Sequence, residues 1–152
     1  MATTVTPATL TVTVVESISL DDADYGRTNT ITISSVTEVY TRLVSVPVTQ
    51  ISLVTFGAAV GEGIAIPAST KYLRITNLDG ANYVELVLNG ASNNSCAFKL
   101  SPGHSFLLHD AVGVIDANDS AEITSASFVD MSSIKAKANS NIVDVEIFTA
   151  GI

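Results

Sequence analysis

This chain has no tryptophan, a single cysteine, few aromatics and little charge, and each shortage excludes something. Only 14% of its 152 residues are charged, where an ordinary globular domain carries about 25%. A monomer keeps soluble through interspersed surface charge. A chain this poor in it either buries nearly all of its apolar side chains or covers part of its surface with other subunits, and both are expected here in part. Without tryptophan there is no indole to stack a sugar ring. With Cys96 alone there is no internal disulfide. Cys96 lies in Ser95-Cys96-Ala97, at the start of an apolar strand. It reads as a small buried residue, because a nucleophile would need a basic partner beside it.

The seven bases are scattered. Arg27 and Arg42 stand alone, and Lys71/Arg74 and Lys135/Lys137 are only pairs. Neutralising phosphates takes clustered cations, so neither nucleic acid nor an anionic membrane is an expected partner. The acids are dispersed too, so a net charge of −8 reads as solubility. The opening Met1-Ala2-Thr3-Thr4-Val5-Thr6-Pro7 lacks the basic region and apolar core of a signal peptide. Residues 43–61 carry no charge and are long enough to cross a bilayer. They hold Pro47, Gln50, Gly57 and several hydroxyls, however, and alternate with the strand period. Two adjacent strands are the expectation there.

What the chain does have is strand grammar. Hydrophobic residues make up 47%, mostly Val, Ile, Leu and Ala, which suit a pleated sheet. Leu10, Val12, Val14, Ile18 and Leu20 alternate with Thr9, Thr11, Thr13 and Ser17. Glu16 interrupts the apolar face, as at a bulge or strand end. Residues 21–26 form an acidic loop. Residues 30–34, 38–46 and 48–56 alternate again, with Pro47 as a break. The Gly-rich segment 57–70 is the longest loop and the natural docking element. A hairpin is expected from 71–76 and 83–88 about Asp79-Gly80. A second is expected from 97–100 and 105–108 about Ser101-Pro102-Gly103. Residues 121–128, 133–138 and 141–148 complete about nine or ten short strands at regular spacing, the pattern of a sandwich or barrel. Residues 131–138 could equally be one helical turn.

No catalytic or metal site is expected. His104 and His109 lie five apart, which on a strand points them to opposite faces. The His-x-His spacing that would put two ligands on one face is absent. Asp116-Ala117-Asn118-Asp119-Ser120-Ala121-Glu122 offers oxygens at alternate positions, as a calcium loop does. It has Ala121 where the loop glycine belongs, and Asp and Asn are also ordinary turn chemistry. Asp22-Ala23-Asp24-Tyr25-Gly26 fails similarly. Glu85, Asp144 and Glu146 sit on alternating strands, where a solvated face is expected, whereas glycoside hydrolysis needs two carboxylates facing across a cleft. No Gly-x-Ser-x-Gly is present. Gly57-x-x-x-Gly61-x-Gly63 lacks the following Lys and Ser or Thr of a phosphate loop. No cofactor is expected.

The middle of the chain carries a resemblance. Lys71-Tyr72-Leu73-Arg74-Ile75-Thr76-Asn77-Leu78-Asp79 runs into Asn82-Tyr83-Val84-Glu85-Leu86. Phe98-Lys99-Leu100-Ser101-Pro102-Gly103 and Ser105-Phe106-Leu107-Leu108 follow. A strand ending in Asn-x-Asp and a Leu-x-Pro-Gly turn resemble small structural proteins in the virions of tailed bacteriophages. The closing Ile134-Lys135-Ala136-Lys137-Ala138 and Val143-Asp144-Val145-Glu146-Ile147 are similar to the closing hairpin of such proteins. The likeness covers about half the chain, and its motifs are hairpin grammar.

The combined expectation is an all-β, antiparallel β-sandwich, jelly-roll-like, in one domain (residues 11–152) behind an extended N-terminal arm (residues 1–10). The resemblance implies a non-enzymatic capsid decoration or cement protein, made in the host cytoplasm and carried on the virion surface. It would bind the major capsid protein, with a homotrimer as the implied oligomer. A phage tail adaptor, a fibre component and a carbohydrate-binding β-sandwich module are the alternatives. Ala2, Val5, Pro7 and Leu10 of the arm, and Val60, Ile64 and Ile66 of the Gly-rich loop, are the candidate contacts.

Overall fold

The computed structural model describes residues 4–58, 64–91, 94–116 and 127–152. Their regular structure is all strand. Alternating apolar and hydroxyl side chains give one face to bury and one to solvate, and two such sheets close over each other. The four-stranded sheet has the order β11 (Ser105–Leu108), β8 (Thr70–Asn77), β13 (Val143–Gly151), β5 (Glu38–Val46). The five-stranded sheet has the order β10 (Ser95–Leu100), β9 (Val84–Gly90), β12 (Met131–Ala138), β6 (Ile51–Phe56), β7 (Ile64–Ala65). All pairings are antiparallel except the short β6–β7 contact. The molecule is an antiparallel β-sandwich.

The inner faces meet in one core. Leu73, Ile75, Val145 and Ile147 from the four-stranded sheet pack with Leu86, Leu88, Ile134 and Ala136 from the other. Fully burying one such aliphatic side chain stabilises by about 1.5–3 kcal/mol. A register shift between Ile134 and Lys135 leaves Leu53 as the extra residue of β6. Leu53 and Val54 are therefore buried in succession, against the strand alternation.

Residues 131–138, for which the sequence admits a strand or a helical turn, are a strand. Other expectations need correction. The two hairpins about Asp79-Gly80 and Pro102-Gly103 are not hairpins. β8 and β9 lie in opposite sheets, as do β10 and β11, and as do β12 and β13. Each of these turns carries the chain over the end of the sandwich. The in-sheet hairpin is β9–β10, across the polar turn after Gly90. A turn signal reports that the chain reverses. Whether the next strand lands beside the last or across the core depends on distant partners. The expected strand at 121–128 falls largely outside the described residues, and Ser127 and Phe128 are not in a strand.

The N-terminal quarter leaves the sandwich. β1 (Ala8–Val15) and β4 (Thr28–Val36) form a separate two-stranded antiparallel ribbon. Beyond them β2 (Ser19–Leu20) and β3 (Ala23–Asp24) make a miniature hairpin. Its turn residues Asp21 and Asp22 both have positive φ, 50° and 62°, the backbone of the two-residue hairpin turn that matches strand twist. β4 passes into β5 through Thr37, whose N–H donates to the Gly151 carbonyl at 3.0 Å.

Candidate interaction surface

The ribbon has two faces of different chemistry. Leu10 pairs with Ile33 and Val12 with Ile31, so these four share one face. Thr11 and Thr13 sit opposite Thr32 and Thr30 on the other, where the Thr13 and Thr30 hydroxyls are 3.2 Å apart. At its root the apolar face is covered. Leu10, Val12, Ile33 and the buried Val36 pack against Tyr72, Phe148 and Ala150, on the outer face of the four-stranded sheet. Tyr72 and Phe148 meet edge to face, 6.0 Å between centroids, a geometry that adds to plain burial. Burial pushes the Tyr72 phenol above its ordinary pKa, and the nearby Arg74 cation partly opposes this.

A bulge aims the ribbon. The register slips between Ala8 and Leu10, and Ser35 on the partner strand takes φ of 61°. The extra residue kinks β4 just before it joins the sheet.

The distal end is different. Val14, Val15, Ile18, Leu20 and Tyr25 are 45, 67, 54, 59 and 62% exposed. Glu16, Asp21, Asp22 and Asp24 are exposed among them, with Arg27 as the neighbouring base. Asp24 holds the local turn by accepting from the Gly26 N–H at 2.8 Å. Apolar side chains grouped at the end of a projecting element are the mark of an interaction site.

Of the clefts among the described residues, two are lined by a histidine. One of about 460 Å³ runs between ribbon and sheet, lined by Ile31, Ile33, Lys71, His109 and Ile152 among others. Lys71 pairs there with Asp110 at 3.7 Å. The other, about 230 Å³, opens between the sheet edges and is lined by Leu86, Phe98, Leu100, His104 and Phe106 among others. The two histidines thus line different clefts. His109 packs on the Tyr72 ring, 5.9 Å between centroids, and His104 Nδ1 lies 2.8 Å from the Pro102 carbonyl oxygen. Among the described residues no three His, Cys, Asp or Glu side chains gather as a metal site would. Asp116 Oδ2 accepts from the Ser127 N–H at 2.8 Å, and residues 117–122 of the cation candidate lie outside the described residues. Glu85 lies on the outer face of the five-stranded sheet. Asp144 and Glu146 lie on the outer face of the other, where Glu146 pairs with Arg74 at 2.8 Å. Burial raises the Cys96 thiol above its usual pKa.

The sequence-derived contact residues fall in three places. Val5 and Pro7 are exposed in the extended lead-in to the ribbon. Leu10 is inside β1 and half-buried at the ribbon root. Ile64 opens β7, and Ile66 is half-buried after it, accepting from the Ser69 and Thr70 N–H groups. Ala2 and Val60 lie outside the described residues. The exposed tip residues Val14, Val15, Ile18, Leu20 and Tyr25 were not among the expected contacts. Their alternation reads as an ordinary half-buried strand, and the interrupting Glu16 was the one local sign of something else.

No protein-family model, curated protein or solved structure matches the chain.

Proposed function

We propose that this protein is a non-enzymatic structural component that docks onto a larger assembly through its β-ribbon. The observation that carries the reading is the distal end of the ribbon, where five large apolar side chains stand in solvent on an element held rigidly at its root. An assembly protein has a use for such a projection, because the area is covered on docking.

Within that reading we place the chain as a decoration or cement protein on the outside of a phage head, bridging subunits of the major capsid protein. The Asn77-Leu78-Asp79 and Leu100-Ser101-Pro102-Gly103 motifs support this through their resemblance to virion proteins. Strand order supports reading the sandwich as a jelly roll. Counted from β5 with β7 left aside, its sheets run 1-8-3-6 and 2-7-4-5. Such a double sheet is an architecture of viral capsid domains.

Quantitative mass spectrometry of purified virions tests the proposal. A decoration protein is expected at on the order of hundreds of copies per particle, a tail adaptor or fibre at roughly a dozen, as closed symmetry dictates. Absence from the particle overturns both. Replacing Val15, Ile18 and Leu20 with serine should abolish attachment to heads while leaving the sandwich folded.

A further inference from the structure

The ribbon tip and the outer face of the five-stranded sheet carry opposite local charge. The ribbon root packs on the outer face of the four-stranded sheet, through Tyr72 and Phe148. The outer face of the five-stranded sheet points the other way. Cross-strand register places Lys99, Glu85 and Lys137 in one row there, and Ala97, Val87 and Lys135 in the next. Three of the chain's seven bases share this face with, among the described residues, a single carboxylate. The ion pairs among the described residues are Lys71–Asp110 and Arg74–Glu146, so none of the three lysines is paired with a described carboxylate. Lys99 Nζ sits 4.5 Å over the Tyr83 ring. The lysine stems flank an apolar centre at Val87 and Ala97, an arrangement that covers apolar surface while keeping the charges wet.

The ribbon tip is the complement. It presents exposed apolar side chains ringed by Glu16, Asp21, Asp22 and Asp24, against Arg27 alone. With a net charge of −8, unlike patches are where two copies meet with the least repulsion.

We propose that a second copy of this chain is the partner of the ribbon tip, which docks on the lysine-bearing outer face of the five-stranded sheet. The proposal rests on the reading of the ribbon as a docking element and names a neighbouring copy, not the major capsid protein, as what the tip itself touches. Attachment to a head then depends on these links between copies. The two patches are different surfaces, so the contact is head to tail. It closes into a ring if the rotation per copy allows and otherwise grows as a chain.

Charge reversal tests this with the full-length protein. Sedimentation of the wild type over a concentration series is expected to show self-association. Asp21→Lys with Asp22→Lys should weaken it at least tenfold, and so should Lys135→Glu with Lys137→Glu. Combining all four reversals should restore it, because the patches are again unlike. Asp21, Asp22 and Lys137 are exposed and Lys135 is half-buried on the outer face. Because Asp21 and Asp22 hold positive φ, Asp21→Asn with Asp22→Asn, which keeps that backbone, should weaken association in the same direction. Circular dichroism checks that each variant keeps its strand content. A wild type that stays monomeric at every concentration overturns the proposal. So does association unmoved by either reversal, or not regained in the combination. Ile18→Ser with Leu20→Ser separates the two readings. If that variant loses association while the charge variants do not, the ribbon docks but not on the lysine face.

Discussion

The Asn77 side chain reaches across the end of the sandwich and donates to the Leu100 carbonyl at 3.2 Å. It is fully buried. Its amide also donates to the Asn82 carbonyl at 2.9 Å, and its Oδ1 accepts from the Asp79 N–H at 2.9 Å. Its backbone N–H donates to the His104 carbonyl, and its carbonyl accepts from the Gly103 N–H. One side chain thus ties the β8–β9 crossing to the β10–β11 crossing. The Asn-x-Asp and Leu-x-Pro-Gly motifs, distant in sequence, are two halves of one hydrogen-bonded unit.

Asn77→Ala is expected to destabilise the protein by about 2–3 kcal/mol, because it strands buried carbonyls and an amide together. Asn77→Asp should do worse, since it turns a buried carboxylate toward two carbonyl oxygens. Chemical denaturation measures both, and a loss near zero for Asn77→Ala would show that the crossings hold without it.

Asp79 gives a pH dependence. Its Oδ1 accepts from the Asn82 and Ala81 N–H groups at 2.6 and 2.7 Å, and these bonds hold the carboxyl below its ordinary pKa. A pKa lowered in the folded state contributes stability above the unfolded value, and that contribution is lost as pH falls through the folded value. Asp79→Asn should therefore melt lower than wild type at neutral pH. The gap should close toward acid pH, on the low side of the carboxylate range. Thermal melts across that range measure it, and a gap independent of pH would exclude the charge as its cause.

Gly90 has no room for a side chain. A Cβ there would lie 2.5 Å from Ile115 Cγ2 and 2.7 Å from Val129 Cγ2. Gly90→Ala should cost about 1–3 kcal/mol as overpacking at the end of β9. Differential scanning calorimetry would register it as a lowered Tm.

Cys96 should alkylate slowly at neutral pH and faster as pH rises past the ordinary thiol range. Burial holds its pKa up, and the thiolate is the reacting form. Iodoacetamide labelling followed by mass spectrometry gives the rate. Fast labelling at neutral pH would show the thiol more open than its packing against the core implies.

Tyr72→Ala should loosen the ribbon without unfolding the sandwich. Tyr72 is the buried aromatic under Leu10, Val12 and Ile33, and its removal leaves the ribbon held by Phe148 and Ala150. Amide hydrogen exchange is expected to quicken across β1 and β4 while β8 and β13 remain protected. Uniform loss of protection would mean that ribbon and sandwich fold as one unit.

Much of the fold was legible in the residues. Strand alternation marked β5, β6, β8, β9 and β13, because each buries one face and the period of two follows directly. Pairing was not legible. Asp79-Gly80 and Pro102-Gly103 fix local backbone angles, and Asn77, whose bonds decide where those crossings go, reads in sequence as a polar strand end. The ribbon hid for a related reason. Leu10 and Val12 are covered while Val14 and Ile18 are not, yet the same alternation writes all four. Exposure depends on how far the strand runs past the sheet beneath it, and no local pattern encodes that distance.

The pairing of β5 with β13 sets an order of events in folding. β5 is the first strand of the sandwich and β13 its last, joined from Val46↔Val143 to Gly151↔Glu38. During synthesis β5 waits without its neighbour until β13 emerges. Closing so long a loop is slow, and proteins dominated by distant strand pairings fold in roughly milliseconds to seconds. The ribbon needs only its own residues and can zip on the microsecond scale of a hairpin. The exposed apolar side chains of the ribbon are therefore in solution before the body that anchors it is complete. A nascent chain offers its adhesive end early, so dilution or a chaperone is needed to keep neighbouring chains apart until the last strand is in place.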